Sequence, residues 1–197
     1  MRICFVGDSF VNGTGDSECL GWTGRVCAAA RQQGHDLTYY NLGIRRETTT
    51  DIRARWQAEV ERRLPESCDG RVVFSFGVND TTIEQGQTRV QFADSLANTH
   101  QILSLAQQRF PVLMVGPLPV TDAEQNSRIG DLSTRFGQIC AGLKIPYLEA
   151  FSWLLESAIW RQEALAGDGY HPSAGGYTQV AELVQSWPAW RHWFKSY

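Results

Sequence analysis

Five short apolar runs, at residues 3–6, 37–42, 72–76, 112–115 and 145–148, alternate with segments whose apolar residues recur every three or four positions. This alternation limits the fold more than any other feature. The runs are rich in β-branched and large apolar residues, as strands buried on both faces are. Between them, Trp22, Val26 and Ala29 share one helical face, as do Ile52, Trp56 and Val60. Longer stripes run through Phe92, Leu96, Thr99, Leu103, Ala106 and Phe110, and through Ile129, Leu132, Phe136, Ile139 and Leu143. Tyr177, Val180, Ala181 and Val184 close the series. Strands that alternate with helices imply right-handed crossovers and a parallel sheet covered on both faces. The expected fold is α/β, a three-layer αβα arrangement around a flavodoxin-like five-stranded parallel sheet of order 2-1-3-4-5. Neither a repeat nor a linker interrupts the pattern, so residues 1–197 are expected to form a single domain.

Composition removes several function classes. The net charge is -3 and there is no basic run to follow a phosphate backbone, so nucleic acid is not the expected partner. No apolar run approaches the roughly 20 residues that a membrane helix needs, so stable membrane insertion is not expected. Met1 and Arg2 lead straight into the first strand, so no signal peptide is expected before it. The five cysteines, Cys4, Cys19, Cys27, Cys68 and Cys140, are odd in number and contain no Cys-x-x-Cys. They indicate neither a disulfide framework nor a zinc ribbon, and read as buried free thiols of a cytoplasmic protein.

Chemistry gathers where the strands end. In an open parallel sheet, ligands bind beyond the carboxyl ends of the strands, at the point where strand order reverses. The loops after strands one, two and three meet there. They carry Gly7-Asp8-Ser9, Asn41-Leu42-Gly43-Ile44-Arg45-Arg46 and Gly77-Val78-Asn79-Asp80. Ser9 is expected on a sharp turn permitted by Gly7, its oxygen facing solvent. Asn79 supplies an uncharged NH₂ donor. A serine nucleophile needs a base, and of His35, His100, His171 and His192 only His171 has suitable company. Asp168 lies three residues before it, Pro172 keeps it out of helical geometry, and Ser173 is placed to cap the last helix. One ring nitrogen can then meet Asp168 and the other Ser9.

Gly-Asp-Ser near the start, Gly-x-Asn-Asp in the middle and Asp-x-x-His before the final helix resemble the SGNH hydrolases, also called GDSL lipases and esterases. The resemblance runs from Gly7 to the helix after His171. It implies an SGNH-hydrolase-like fold and ester hydrolysis without metal or other cofactor. It makes Ser9 the nucleophile, His171 the base and Asp168 its orienting acid, with Asp8 and Gly77 in support. The oxyanion hole would comprise the Ser9 amide, Asn79 and one further amide. Two positions depart from the family pattern. Phe10 stands where Leu is usual. Aligned on Asn41 and Glu47-Thr48, the oxyanion-hole glycine becomes Arg46, whose N–H can still donate; Gly43 is the alternative if the register slips. The Arg46 side chain, with Arg45, would then overhang the site and suit a polar or anionic substrate group.

The function expected is that of a serine esterase acting on small-molecule esters: short acyl esters, acetylated sugars or thioesters. Its activity should fall on acidification through a limb near or somewhat above ~6.5. A lysophospholipase or acyl-thioesterase with an apolar groove is the alternative, roofed by the aromatic tail at 187–197. A non-catalytic ligand-binding module on a flavodoxin-like fold is the third reading. The tail itself reads as docked on the body, with a homo-oligomer contact as the sharper alternative. Gly13-Thr14-Gly15-Asp16-Ser17-Glu18 lacks the third glycine of a dinucleotide fingerprint, and no Gly-Lys-Ser/Thr of a P-loop occurs.

Overall fold

The computed structural model describes residues 1–194; the last three positions of the aromatic tail expectation, 195–197, lie outside the described residues. Strands β1 (Arg2–Gly7), β2 (Thr38–Gly43) and β3 (Gly70–Ser75) are followed by a two-stranded hairpin, β4 (Ile83–Glu84) and β5 (Gln87–Thr88). The sheet is completed by β6 (Val112–Val115) and β7 (Tyr147–Leu148). Its order is β2-β1-β3-β6-β7, and every neighbouring pair is parallel. This is the expected 2-1-3-4-5 order, with the hairpin inserted outside the sheet. The last strand is shorter than expected, because the main chain at 145–146 approaches β6 through only one bond, from Met114 N to Pro146 O.

Helices α1 (Ser9–Asn12), α2 (Gly21–Gln32), α3 (Thr49–Arg63), α4 (Phe92–Ala106) and α5 (Ala123–Leu143) fill the crossovers. Beyond β7 come α6 (Phe151–Leu155), α7 (Ala158–Ala166), α8 (Ala174–Ser186) and α9 (Pro188–His192). Strand alternation divides the core. Ile3 and Phe5 face α2 and α8, whereas Cys4 and Val6 face α3, α4 and α5. Phe5 and Phe74, both fully buried, anchor the two sides. Truncating either to alanine should cost about 3–5 kcal/mol.

Register places the functional loops. Gly7 is opposite both Gly43 and Ser75, so β1, β2 and β3 end at one level. Gly7 is needed for close approach rather than for a left-handed turn: a β-carbon there would fall 1.9 Å from the Ser75 carbonyl oxygen. Helix α3 starts at this same edge through a reciprocal cap between Thr48 and Asp51.

Several expectations change in detail. Phe92 is exposed, and the buried face of α4 begins instead with Ser95, Asn98 and Thr99. Hydrophobic periodicity misses Ser95 and Asn98 because they are polar, and Asn98 is satisfied across the contact with α3, donating to the Thr49 and Thr50 hydroxyls at 3.1 Å. Cys4, Cys27 and Cys140 are buried, but Cys19 is exposed and Cys68 half-buried; all five are free. The aromatic tail docks as expected, with Trp190 and Trp193 buried. Its anchor is Arg71, near the start of β3, whose Nη1 donates to the Trp193 carbonyl at 2.8 Å. The tail thus packs toward the opposite end of the sheet from Gly7 and Ser75, away from the position needed to roof the strand ends. Among the described residues no helix is long and apolar enough to cross a membrane.

Candidate active site

Where β1 ends, Asp8 is the N-cap of α1 and its Oδ1 accepts from the Phe10 N–H at 3.0 Å. This makes Asp8, not Ser9, the capping residue, and it turns the chain so that Ser9 opens the helix. As the first helical residue, Ser9 has an N–H with no carbonyl one turn back to bond. Asp8 is fully buried and its Oδ2 has no partner, so burial pushes its carboxyl up to about 7.

Ser9 is 3% exposed and lies in the floor of a cleft, rather than facing open solvent. Its Oγ is 2.7 Å from His171 Nε2. On the other side of the ring, His171 Nδ1 is 2.8 Å from Asp168 Oδ2. Asp168 Oδ1 accepts the main-chain N–H groups of Tyr170 at 3.0 Å and His171 at 2.9 Å. Partial burial opposes the Asp168 charge, but these bonds outweigh it and hold the carboxyl at about 2. For His171 the balance is reversed: burial lowers its pKa, assisted by the Arg45 charge, and Asp168 only partly restores it. The ring centroid of Phe10 lies 4.8 Å from that of His171, which explains the dry surroundings.

The histidine loop is fixed from several directions. Gly15, at φ +90°, passes so close that a β-carbon would fall 3.0 Å from His171 Cβ. Ser173 occupies the N-cap position of α8, but its side chain makes no capping bond. Glu163 of α7 caps the helix instead, accepting from the N–H groups of Ser173, Gly175 and Gly176 at 3.0, 3.1 and 2.7 Å. A carboxylate there also suits the helix dipole. Sequence reading missed Glu163 because it lies ten residues before the helix it caps.

The opposite wall is built from the loops after β2 and β3. Arg46 has φ +71°, a left-handed conformation that normally favours glycine, and so keeps the backbone shape despite its Cβ. The Arg46 N–H donates to no group among the described residues. Gly43 differs: its N–H is already taken by Asn41 Oδ1 at 2.9 Å. Asn79 Nδ2 donates to the Glu47 carbonyl at 2.9 Å. Next to it, Asp80 binds the Thr49 N–H at 2.8 Å and the Thr49 hydroxyl at 2.6 Å, joining the loop after β3 to the start of α3.

Arg55 of α3 is the largest omission from the sequence reading. Its Nη2 donates to the carbonyls of Gly7 at 3.0 Å and Leu42 at 2.9 Å, while Nε meets Glu47 Oε2 at 2.5 Å. In sequence it is one of several arginines on a helix, with no local signal. The assembled cleft has a volume of about 220 Å³ and is lined by Ser9, Arg45, Arg46, Asn79, Arg89 and His171, among others. Asp8 and Gly77 are not among the residues that line it. A β-carbon on Gly77, at φ +119°, would strike the Phe136 ring at 2.8 Å.

Known structures share this architecture. A lipase/acylhydrolase from Enterococcus faecalis superposes with a TM-score of 0.74 at 22% identity, over 93% of this chain and 92% of that one. Axe2, an acetylxylan esterase from Geobacillus stearothermophilus, gives 0.76 at 17% identity, over 92% and 91%. Catalytic mutants of Axe2 replace a serine, an aspartate and a histidine. At these identities the likeness concerns the fold. No curated protein sequence matches the chain. The family model for the GDSL-like Lipase/Acylhydrolase family matches residues 5–179, and the chain belongs to that family. It is thereby placed among the SGNH-type hydrolases that act on esters.

Proposed function

We propose that the protein is a serine esterase in which Ser9, His171 and Asp168 form the catalytic triad. The observation that carries this reading is the continuous chain of contacts from Ser9 Oγ through the imidazole to Asp168, at 2.7 and 2.8 Å. Asp168 holds Nδ1 protonated, which leaves the Nε2 lone pair toward the serine hydroxyl. As Oγ attacks the ester carbonyl, its proton passes to Nε2. The tetrahedral oxyanion is held by the N–H groups of Ser9 and Arg46 and by the second amide hydrogen of Asn79, typically worth about 2.7–4 kcal/mol for one such donor. Imidazolium then protonates the leaving alcohol. Water repeats the sequence on the acyl-enzyme, giving acid and free Ser9.

Arg46 is preferred over Gly43 because the Gly43 amide is already bonded. The small cleft favours short acyl groups on soluble esters, acetylated sugars included, and the position of the tail removes support for an apolar roof. The free thiols favour a reducing compartment such as the cytoplasm. A fluorophosphonate probe tests the reading: it should label Ser9, and Ser9→Ala should abolish both labelling and hydrolysis while the protein stays folded. An unlabelled wild-type protein would remove the proposal in favour of a non-catalytic module.

A further inference from the structure

Three arginines meet at the mouth of the cleft from two distant segments. Arg45 and Arg46 follow β2, and Arg89 follows the β4–β5 hairpin. The protein as a whole has a net charge of -3, so this cationic rim does not follow from composition. Arg45 Nη2 lies 3.3 Å from Asp168 Oδ2. Arg46 Nη2 and Arg89 Nε share a single partner, Glu84 Oε1, at 3.0 and 3.5 Å. Three guanidinium groups thus make direct ion pairs with two carboxylates, one of which, Asp168, is also engaged by His171, while Asp51 and Asp80 lie within electrostatic reach of Arg89.

The donor balance points the same way. Each guanidinium carries five N–H donors, of which these contacts use few. Arg55, which ties loops together, is buried against its partners, its side chain 14% exposed. The Arg45 and Arg46 side chains instead remain 60% and 72% exposed beside the candidate nucleophile. Arg89 is the fixed member, 19% exposed, with Nη1 donating to the Arg46 carbonyl at 2.7 Å. That bond sets a cation directly behind the residue whose amide is assigned to the oxyanion hole.

We propose that the ester hydrolysed at Ser9 carries an anionic substituent, a carboxylate or a phosphate, held by Arg45, Arg46 and Arg89. The inference rests on the serine esterase reading. Planar guanidinium forks match both anions bidentately. Glu84 sits at the edge of the exposed hairpin and occupies two of the guanidiniums in the free protein. The exposed Arg46–Glu84 pair contributes little, so a substrate anion displaces Glu84 from Arg46 readily.

Three acetate esters of similar size test this: 3-acetoxybenzoate, 3-acetoxyphenyl phosphate and neutral 3-acetoxybenzamide. At low salt, kcat/KM for at least one anion should exceed that for the amide by about tenfold or more, and which anion leads identifies the group recognised. The ratio should shrink toward one in 0.5 M sodium chloride, as exposed charges are screened. Arg89→Gln and Arg45→Gln should each lower it by about fivefold or more, mainly through KM. Titration of the unreactive Ser9→Ala variant with the same compounds should show the same preference in binding. Equal or better turnover of the amide, with no change in ratio in either arginine variant, would overturn the anionic inference while leaving the esterase standing. Failure of all three esters together with failure to label Ser9 would overturn the esterase reading, and this inference with it.

Discussion

The Asn79 carboxamide donates one hydrogen to the Glu47 main-chain carbonyl at 2.9 Å, and this bond fixes the direction of the other. A side-chain donor is oriented by the backbone of a neighbouring loop, so it is ready before substrate arrives. Asn79→Ala removes that donor and should lower kcat on every ester by roughly 10²–10³ with little change in KM. Steady-state kinetics on a neutral acetate ester would check it; an unchanged kcat would remove Asn79 from the hole.

Arg46→Gly separates the main-chain donor from the side chain. The amide remains, so kcat on a neutral ester should fall by less than about tenfold, far less than in Asn79→Ala. Stability receives opposing contributions. Glycine relieves the left-handed strain, worth about 1–2 kcal/mol, but makes the unfolded chain freer by about 0.4–1 kcal/mol. Urea unfolding should place the variant within about 1 kcal/mol of the parent. A loss of neutral-ester turnover as large as that of Asn79→Ala would show that the side chain, not the amide, does the work.

The acid limb of the rate profile should lie below the ordinary imidazole value of ~6.5. The sequence expectation put it near or above that value because of Asp168; burial among Phe10 and its neighbours outweighs the carboxylate and lowers the His171 pKa. The base thus stays neutral and active to lower pH. Because Arg45 also lowers it, Arg45→Gln should move the limb upward. Profiles of kcat/KM between pH ~4.5 and ~8, with the chemical step limiting, would check both directions.

Asp8 predicts a pH effect on stability. Its folded-state pKa is raised to about 7, so between ~3.9 and about 7 the unfolded chain has released a proton that the folded chain retains. Its contribution must therefore fall as pH rises through that window and level off above it. The size is at most about 4 kcal/mol, from about 1.4 kcal/mol per pKa unit. Asp8→Asn keeps an oxygen for the Phe10 N–H but cannot ionise. From pH 5 to pH 8 the parent should lose stability relative to Asp8→Asn in urea unfolding, and an identical change in both would refute the assignment.

Much of the fold was legible because apolar runs and helical stripes are local signals. The sheet order followed once the strands were counted. That Ser9, Asp168 and His171 come together was legible because each sits at a punctuation point where Gly or Pro breaks the pattern. What escaped notice depends on tertiary approach: the polar inner face of α4, the cap supplied by Glu163 and the hairpin bearing Glu84. In the first two, a polar side chain is satisfied by a partner that no short window of sequence contains, whereas each hairpin strand is only two residues long and gives no alternation to read. Gly43 and Arg46 show the same limit. Both read as possible amide donors, and only the bond from Asn41 to the first distinguishes them.

Arg55 gives the site a mechanical property. Its guanidinium holds the carbonyl before the Asp8-Ser9 turn, the carbonyl of Leu42 and the carboxylate of Glu47, the residue whose own carbonyl aims Asn79. Bonds to a charged donor are worth about 1.5–3 kcal/mol each, so displacing one loop alone means breaking at least one of them. The Asp8-Ser9 turn and the loop that orients Asn79 consequently share a common pivot. Low-energy fluctuations of the site must carry both together, preserving their spacing even while the cleft as a whole breathes.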